Sequence, residues 1–170
     1  MRSLFVGRFQ PFHNGHLAFI KEICNASSYV IIAIGSAEES HTLSNPFTAG
    51  ERTTMIYNTL HAEGLKNFFV VPIEDTKSNG VWVSKVETLC PKFDTVFSNN
   101  PLVKRLFAEK GYKVSGTPLK TRNKLSGTRI RELMLKEGNW QEFVPDEVLK
   151  LIKDFNGVER IIEISGSDKE

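Results

Sequence analysis

Cysteine is scarce: Cys24 and Cys90 are the only two in 170 residues, and neither belongs to a C-x-x-C pair. A disulfide framework and a zinc ribbon are thereby excluded, and a reducing, cytoplasmic setting is expected. Long apolar runs are missing as well. No segment approaches the roughly 18 uninterrupted apolar residues of a membrane span. The short run Leu4-Phe5-Val6 is broken at once by Gly7-Arg8, unlike a signal peptide. Charge of one sign is not in excess either. A formal net charge of +2 argues by itself for neither nucleic acid nor a membrane surface. Three familiar motifs are also absent. Without G-x-G-x-x-G after the first apolar run, hydride-transfer dinucleotide binding is disfavoured, and without G-x-x-x-x-G-K-[ST] so is a P-loop. H-E-x-x-H zinc chemistry is excluded because Asn14-Gly15 separates His13 from His16.

What is present suits one soluble domain, with charged residues at 25% and hydrophobic ones at 40%. The expected bounds are residues 1–164, followed by a polar tail over 165–170. Strand-like runs fall at Ser3–Val6, Tyr29–Ile34, Phe68–Ile73 and Thr95–Phe97. Between them Leu17, Ile20, Ile23 and Cys24 keep the spacing of one helix face. Thr48-Ala49-Gly50-Glu51 opens a second helix as a capping box. Trp82, Val86 and Leu89 mark a third helix, and Val103, Leu106 and Phe107 a fourth. Two more follow Ser126, one through Ile130, Leu133 and Met134 and one through Val148, Leu149 and Ile152. This alternation predicts an α/β fold, an open parallel sheet covered by helices on both faces with additional C-terminal helices. Ligands of such sheets bind beyond the C-terminal strand ends, where the strand order reverses.

The stretch from Gly7 to His16 lies at such a place. It joins a strand to a helix, and a helix start offers free N–H groups and positive potential to phosphate. His13 and His16 there admit three readings: metal ligands, helix-capping structural residues, or donors to phosphate. Ser126-Gly127-Thr128-Arg129-Ile130-Arg131 is a second helix start, with Ser126 or Thr128 as cap. Arg129 and Arg131 oppose the macrodipole in its first turn, which an anion docked there would explain; tolerated surface arginines are the alternative. Lys120, Arg122 and Lys124 lie just upstream.

Together these residues resemble the archaeal type of nicotinamide-mononucleotide adenylyltransferase, a branch of the HxGH nucleotidyltransferases with their Rossmann-like fold. The matching strings are Gly7-Arg8-Phe9-Gln10-Pro11-Phe12-His13-Asn14-Gly15-His16, Ile34-Gly35-Ser36-Ala37, Asn45-Pro46-Phe47-Thr48-Ala49-Gly50-Glu51-Arg52, Asn99-Asn100-Pro101-Leu102-Val103 and Ser126-Gly127-Thr128. The likeness runs from about Met1 to Arg160. It implies transfer of AMP from ATP to nicotinamide mononucleotide (NMN), giving NAD and pyrophosphate without a covalent enzyme intermediate.

By that resemblance His16 faces the α-phosphate. His13 and Arg8 hold the β- and γ-phosphates with Ser126, Gly127, Thr128 and Arg131. Gly7 and Phe9 lend backbone to the nucleotide, while Ile34, Gly35 and Asn99 border the adenosine. Asp75 and Trp82 are the candidates for the NMN side, Trp82 by stacking; a turn residue and a core residue are their alternative readings. Glu51 is read as a helix cap. Members of the family often carry a basic residue where Ser44 stands here, so Arg122 or Lys124 substitutes or the contact is missing. Mg²⁺ is implied as a companion of ATP, held by phosphate oxygens and water and by no protein cage. Homo-oligomers, commonly hexamers, are implied too, with no nucleic acid and no membrane partner. The competing readings are a related transferase acting on phosphopantetheine or flavin mononucleotide, a class I aminoacyl-tRNA synthetase fragment, and a non-catalytic nucleotide-binding module.

Overall fold

The computed structural model describes residues 1–117 and 125–167, and among them five strands alternate with helices. β1 (Arg2–Gly7), β2 (Tyr29–Ile34), β3 (Phe68–Pro72), β4 (Thr95–Phe97) and β5 (Lys113–Ser115) form one parallel sheet in the order β3-β2-β1-β4-β5. The strand order reverses between β1 and β4, so the crevice of this Rossmann-like sheet opens beside Gly7 and Ser98. Around the sheet lie α1 (Asn14–Ala26), α2 (Ala49–Ala62), α3 (Trp82–Leu89), α4 (Pro101–Glu109), α5 (Gly127–Leu135), α6 (Asp146–Asp154) and α7 (Gly157–Ser167).

Strand side chains alternate between two cores, as the period of two requires. Phe5, Val30, Ile32 and Ile34 join Ile20, Ile56, Ile130 and Ile152 on one side. Leu4, Val6, Ile31 and Ala33 join Trp82, Val86, Val103 and Phe107 on the other. The four expected strands are all present. β1 gains one residue at each end, and β3 closes at Pro72. β5 and α7 are additions. β5 has only Val114 as an apolar signal in three residues. α7 runs to Ser167 and so extends into the segment expected as a polar tail. A bidentate pair holds it, since Arg160 Nη1 and Nη2 each lie 2.7 Å from a Glu51 carboxylate oxygen on α2. Burial alone would push the Glu51 pKa up; the Arg160 guanidinium and the Thr48 N–H outweigh it and hold it below the ordinary value. Glu51 also completes the expected capping box, with Thr48 N to Glu51 Oε2 at 2.9 Å and Glu51 N to Thr48 Oγ1 at 3.1 Å.

One arginine sets the geometry of the crevice. Arg52 shares the buried face of α2 with Met55, Ile56 and Leu60 and is wholly buried. Its guanidinium donates only to backbone carbonyls: Thr48 at 3.2 Å, Arg8, Gly35 and Ser36 at 3.0 Å, and Glu39 at 3.3 Å. The five N–H donors of the rigid fork therefore have five acceptors. Burial pulls its pKa down to about 10, still well above neutrality, so the cation persists. One side chain thus ties the end of β1 to the loop after β2 and to the start of α2. Replacement by Lys keeps the charge but offers three donors without a planar fork. Arg52→Lys is expected to leave buried carbonyls unpaired and to cost at least about 2 kcal/mol in urea denaturation.

Candidate active site

A cleft of about 780 Å³ opens at the reversal point. Its floor is the end of β1 (Phe5 to Arg8) and its walls are the turns after the other strands. Three helix starts border it: His13 and Gly15 at α1, Asn100 and Pro101 at α4, and Ser126 and Gly127 at α5. The positive ends of three helices facing one cavity favour an anion.

The α1 start carries an unusual cap. His13 is the N-cap in extended backbone, and its Nδ1 accepts from the His16 N–H at 3.3 Å. His16 Nδ1 in turn accepts from the His13 N–H at 3.2 Å. Histidines thus occupy both positions of a capping box. Because each Nδ1 is an acceptor, the hydrogen-bond network assigns the proton of each neutral ring to Nε2. The rings stack with centroids 3.5 Å apart, and His16 also meets Phe9 edge-on at 4.8 Å and Phe12 face-on at 5.5 Å. Burial lowers the His13 pKa to about 4. Burial and, after it, the neighbouring His13 push His16 well below its ordinary value. Both are neutral at pH 7. Capping uses Nδ1 and leaves Nε2 of each ring free, so the two sequence alternatives are compatible.

Close packing shapes the rest of the phosphate end. Phe9 adopts a left-handed backbone (φ 53°) and folds its ring over Gly7, where an added Cβ would come within 2.9 Å of it. Ser126 caps α5, its Oγ accepting from Arg129 N at 3.3 Å. A Cβ on Gly127 would lie 2.8 Å from the Gln10 carbonyl, so only glycine lets α5 approach the β1 turn so closely. Arg8 is exposed and donates to Asn45 Oδ1 at 3.4 Å. It is the only Lys or Arg lining the cleft among the described residues.

Comparison with known proteins agrees with this geometry. The cytidylyltransferase-like family model matches residues 4–133. The nicotinamide-nucleotide adenylyltransferase of Picrophilus torridus is 53% identical over 169 residues, covering 99% of this chain and 100% of its own length. That of Thermoplasma volcanium is 50% identical, covering 99% and 95%. The chain belongs to the nicotinamide-nucleotide adenylyltransferase family. A solved Francisella tularensis structure, a bifunctional NMN adenylyltransferase/ADP ribose pyrophosphatase complexed with AMP and a Mn ion, shares the fold at TM-score 0.78 and 22% identity. The match covers 98% of this chain and 53% of that one, so this chain spans about half of it.

Most of the residues that the family resemblance singles out meet in the cleft: Gly7, Arg8, His13, His16, Gly35, Asp75, Trp82, Asn99, Ser126 and Gly127 all line it. Four do not. Phe9 and Ile34 are buried beneath it, and Thr128 lies outside it on exposed helix surface. Arg131 turns away to the carbonyls of Leu43 (2.9 Å) and Gln10 (2.6 Å). With Ser126 as the cap, Arg131 is the fifth residue of α5, beyond its first turn, and these carbonyls pair its guanidinium. Its pKa is lowered to about 10 by burial and then by Arg8, whose charge it senses. Lys120, Arg122 and Lys124 lie outside the described residues, and Ser44 is exposed beside Asn45. Trp82 joins core and cleft. It packs edge-on against Phe107, lines the cavity, and buries its indole N–H without a partner among the described residues.

Gln10 carries no role in the sequence reading, and Asn99 only a place beside the adenosine. Gln10 is 3% exposed and exchanges two hydrogen bonds with the Phe47 backbone, at 2.8 and 2.9 Å, fixing the turn before His13. Asn99 joins the ends of β4 and β5 by donating to Thr117 Oγ1 and accepting from Thr117 N at 3.0 Å. Arg52 had a readable signal, an arginine in register with the apolar face of a capped helix.

The histidine pair also makes stability depend on pH. An unfolded histidine titrates near about 6.5, and both folded values lie lower. The unfolded chain therefore binds more protons between those values, and the native state loses stability as pH falls from about 6.5 towards 4. Thermal unfolding between pH 7.5 and 4.5 is expected to show this decline. His13→Asn, which caps without titrating, is expected to flatten it.

Proposed function

We propose that this chain transfers the adenylyl group of ATP to NMN, releasing pyrophosphate and forming NAD. The observation that carries the reading is the pair of neutral imidazoles at the α1 start, which presents Nε2–H donors to a cleft flanked by the α5 start and Arg8. Full-length kinship to nicotinamide-nucleotide adenylyltransferases supports the same acceptor.

An oxygen of the NMN phosphate attacks the α-phosphorus of ATP in line. The new P–O bond forms as the bond from the α-phosphorus to the bridging oxygen breaks, and pyrophosphate leaves with the electron pair. A phosphate monoester has its second pKa near ~6 and is mostly dianionic at neutral pH, so no general base is needed. The protein aligns two anions and offsets the charge moving onto pyrophosphate. His16 donates at the α-phosphate. His13, Arg8 and the Ser126–Gly127 helix start serve the β- and γ-phosphates, with Arg131 adding positive potential from behind and Thr128 at the rim. Gly7, Gly35 and Asn99 form the adenosine side with Phe9 and Ile34 buried behind it, and Asp75 and Trp82 form the NMN side.

The described residues hold no group of three or more His, Cys, Asp or Glu able to bind a metal ion, and Asp75 is the one carboxylate lining the cleft. These side chains do not fit a resident metal, and a divalent cation would enter on the triphosphate. Magnesium as that cation, a cytoplasmic location and assembly as a homo-oligomer belong to the same reading. No helix among the described residues is long and apolar enough to cross a membrane.

Pyrophosphate release with ATP and a panel of phosphorylated acceptors tests the proposal. Turnover with NMN is expected; turnover with flavin mononucleotide or phosphopantetheine alone would overturn the acceptor, and ATP binding without any release would leave a binding module. His16→Ala is expected to lower kcat by roughly 10²–10³ with a smaller change in the KM for ATP. His16→Gln, which restores an acceptor for the cap, is expected to recover thermal stability but not kcat.

A further inference from the structure

We propose that Ser36 is a positioning residue that makes this site selective for a neutral carboxamide over a carboxylate on the acceptor ring. This rests on the NMN reading of the cleft. Ser36 lies just beyond β2 with a left-handed backbone, φ 47°, which a Cβ disfavours. Two bonds hold it there. Its carbonyl accepts from Arg52 Nη2 at 3.0 Å, and its Oγ donates to Asp75 Oδ2 at 2.8 Å. The neighbouring segments are stitched together in the same way. Ala37 N donates to Ile73 O at 3.1 Å, and Asp75 N donates to both Glu38 carboxylate oxygens at 3.0 Å.

Asp75 is thus fixed through its backbone and through one oxygen. Its other oxygen, Oδ1, has no partner among the described residues, and the residue lines the cleft. The wall continues through Thr76, Asn79 and Trp82 with no Lys or Arg among the described residues. An ionised carboxylate only accepts, and a carboxamide offers it an N–H. A carboxylate in the same place has no N–H to give. It would also bring negative charge next to Asp75 and Glu38, which repel it.

The test is steady-state kinetics with NMN and with nicotinic acid mononucleotide on the wild type, Ser36→Ala, Ser36→Gly and Asp75→Asn. The wild type is expected to favour NMN by at least about tenfold in kcat/KM, the scale of one charged hydrogen bond. Both Ser36 variants are expected to raise the KM for NMN about tenfold and narrow the preference, with the KM for ATP unmoved. Asp75→Asn should narrow the preference chiefly by admitting the acid. The two Ser36 variants separate hydroxyl from backbone, because glycine relieves the left-handed strain while alanine keeps it. If only alanine is impaired, or neither is, the hydroxyl does not position Asp75 and the proposal falls. A wild type that uses both acceptors equally also overturns it, while leaving adenylyl transfer intact. A wild type that uses neither overturns the NMN reading itself.

Discussion

A permanently charged guanidinium with no carboxylate partner holds the working edge of this sheet together. Arg52 donates to five carbonyls that belong to three separate chain segments. Carbonyls released beyond the ends of β1 and β2 would otherwise be buried without donors, a cost of about 1–3 kcal/mol each. Neutral side chains could not serve so many acceptors from one point. The arrangement also fixes two left-handed neighbourhoods, the Arg8–Phe9 turn and Ser36, just beyond the adjacent strands β1 and β2. The cleft is therefore set by backbone held rigid from behind, and the groups that face substrate sit on segments already immobilised.

On that frame, helix capping and the proposed phosphate recognition fall to the same two side chains. A conventional cap would use a hydroxyl or a carboxylate and leave nothing for the cleft. Imidazole has two nitrogens on opposite sides of one ring, so one can serve the helix while the other serves the ligand. The cost is burial of two stacked rings that cannot both take up a proton without losing the cap. The aromatic packing of Phe5, Phe9 and Phe12 around His16 keeps them neutral at ordinary pH.

Much of this was legible in the sequence, and the exceptions have physical causes. Strong periodicity and capping chemistry marked β1, β2, α1 and α2, and the two helix starts fell in the cleft because strand topology obliges them to. β5 is too short and too polar for its pattern to stand out, and α7 depends on a distant partner, Glu51, that no local window contains. Arg131 is the instructive case. The sequence places it in the first turn if Thr128 is the cap, but Ser126 caps α5, and folding brings the carbonyls of Leu43 and Gln10 to its guanidinium. Ser36, Gln10 and Asn99 act through bonds to residues 18 to 39 positions away. A motif records that such residues are present without recording what they touch.

The histidine capping box also bears on nucleophilicity. Imidazole attacks phosphorus through a lone pair, and histidine is a well-known covalent nucleophile in other enzymes. Here the lone pair of each ring lies on Nδ1 and is pointed into the helix start, while the nitrogen left to the cleft carries hydrogen. On the proposed site, two histidines beside an electrophilic triphosphate are thereby kept from capturing the adenylyl group themselves. The fold disarms its own most reactive side chains and leaves the incoming phosphate as the sole competent attacker.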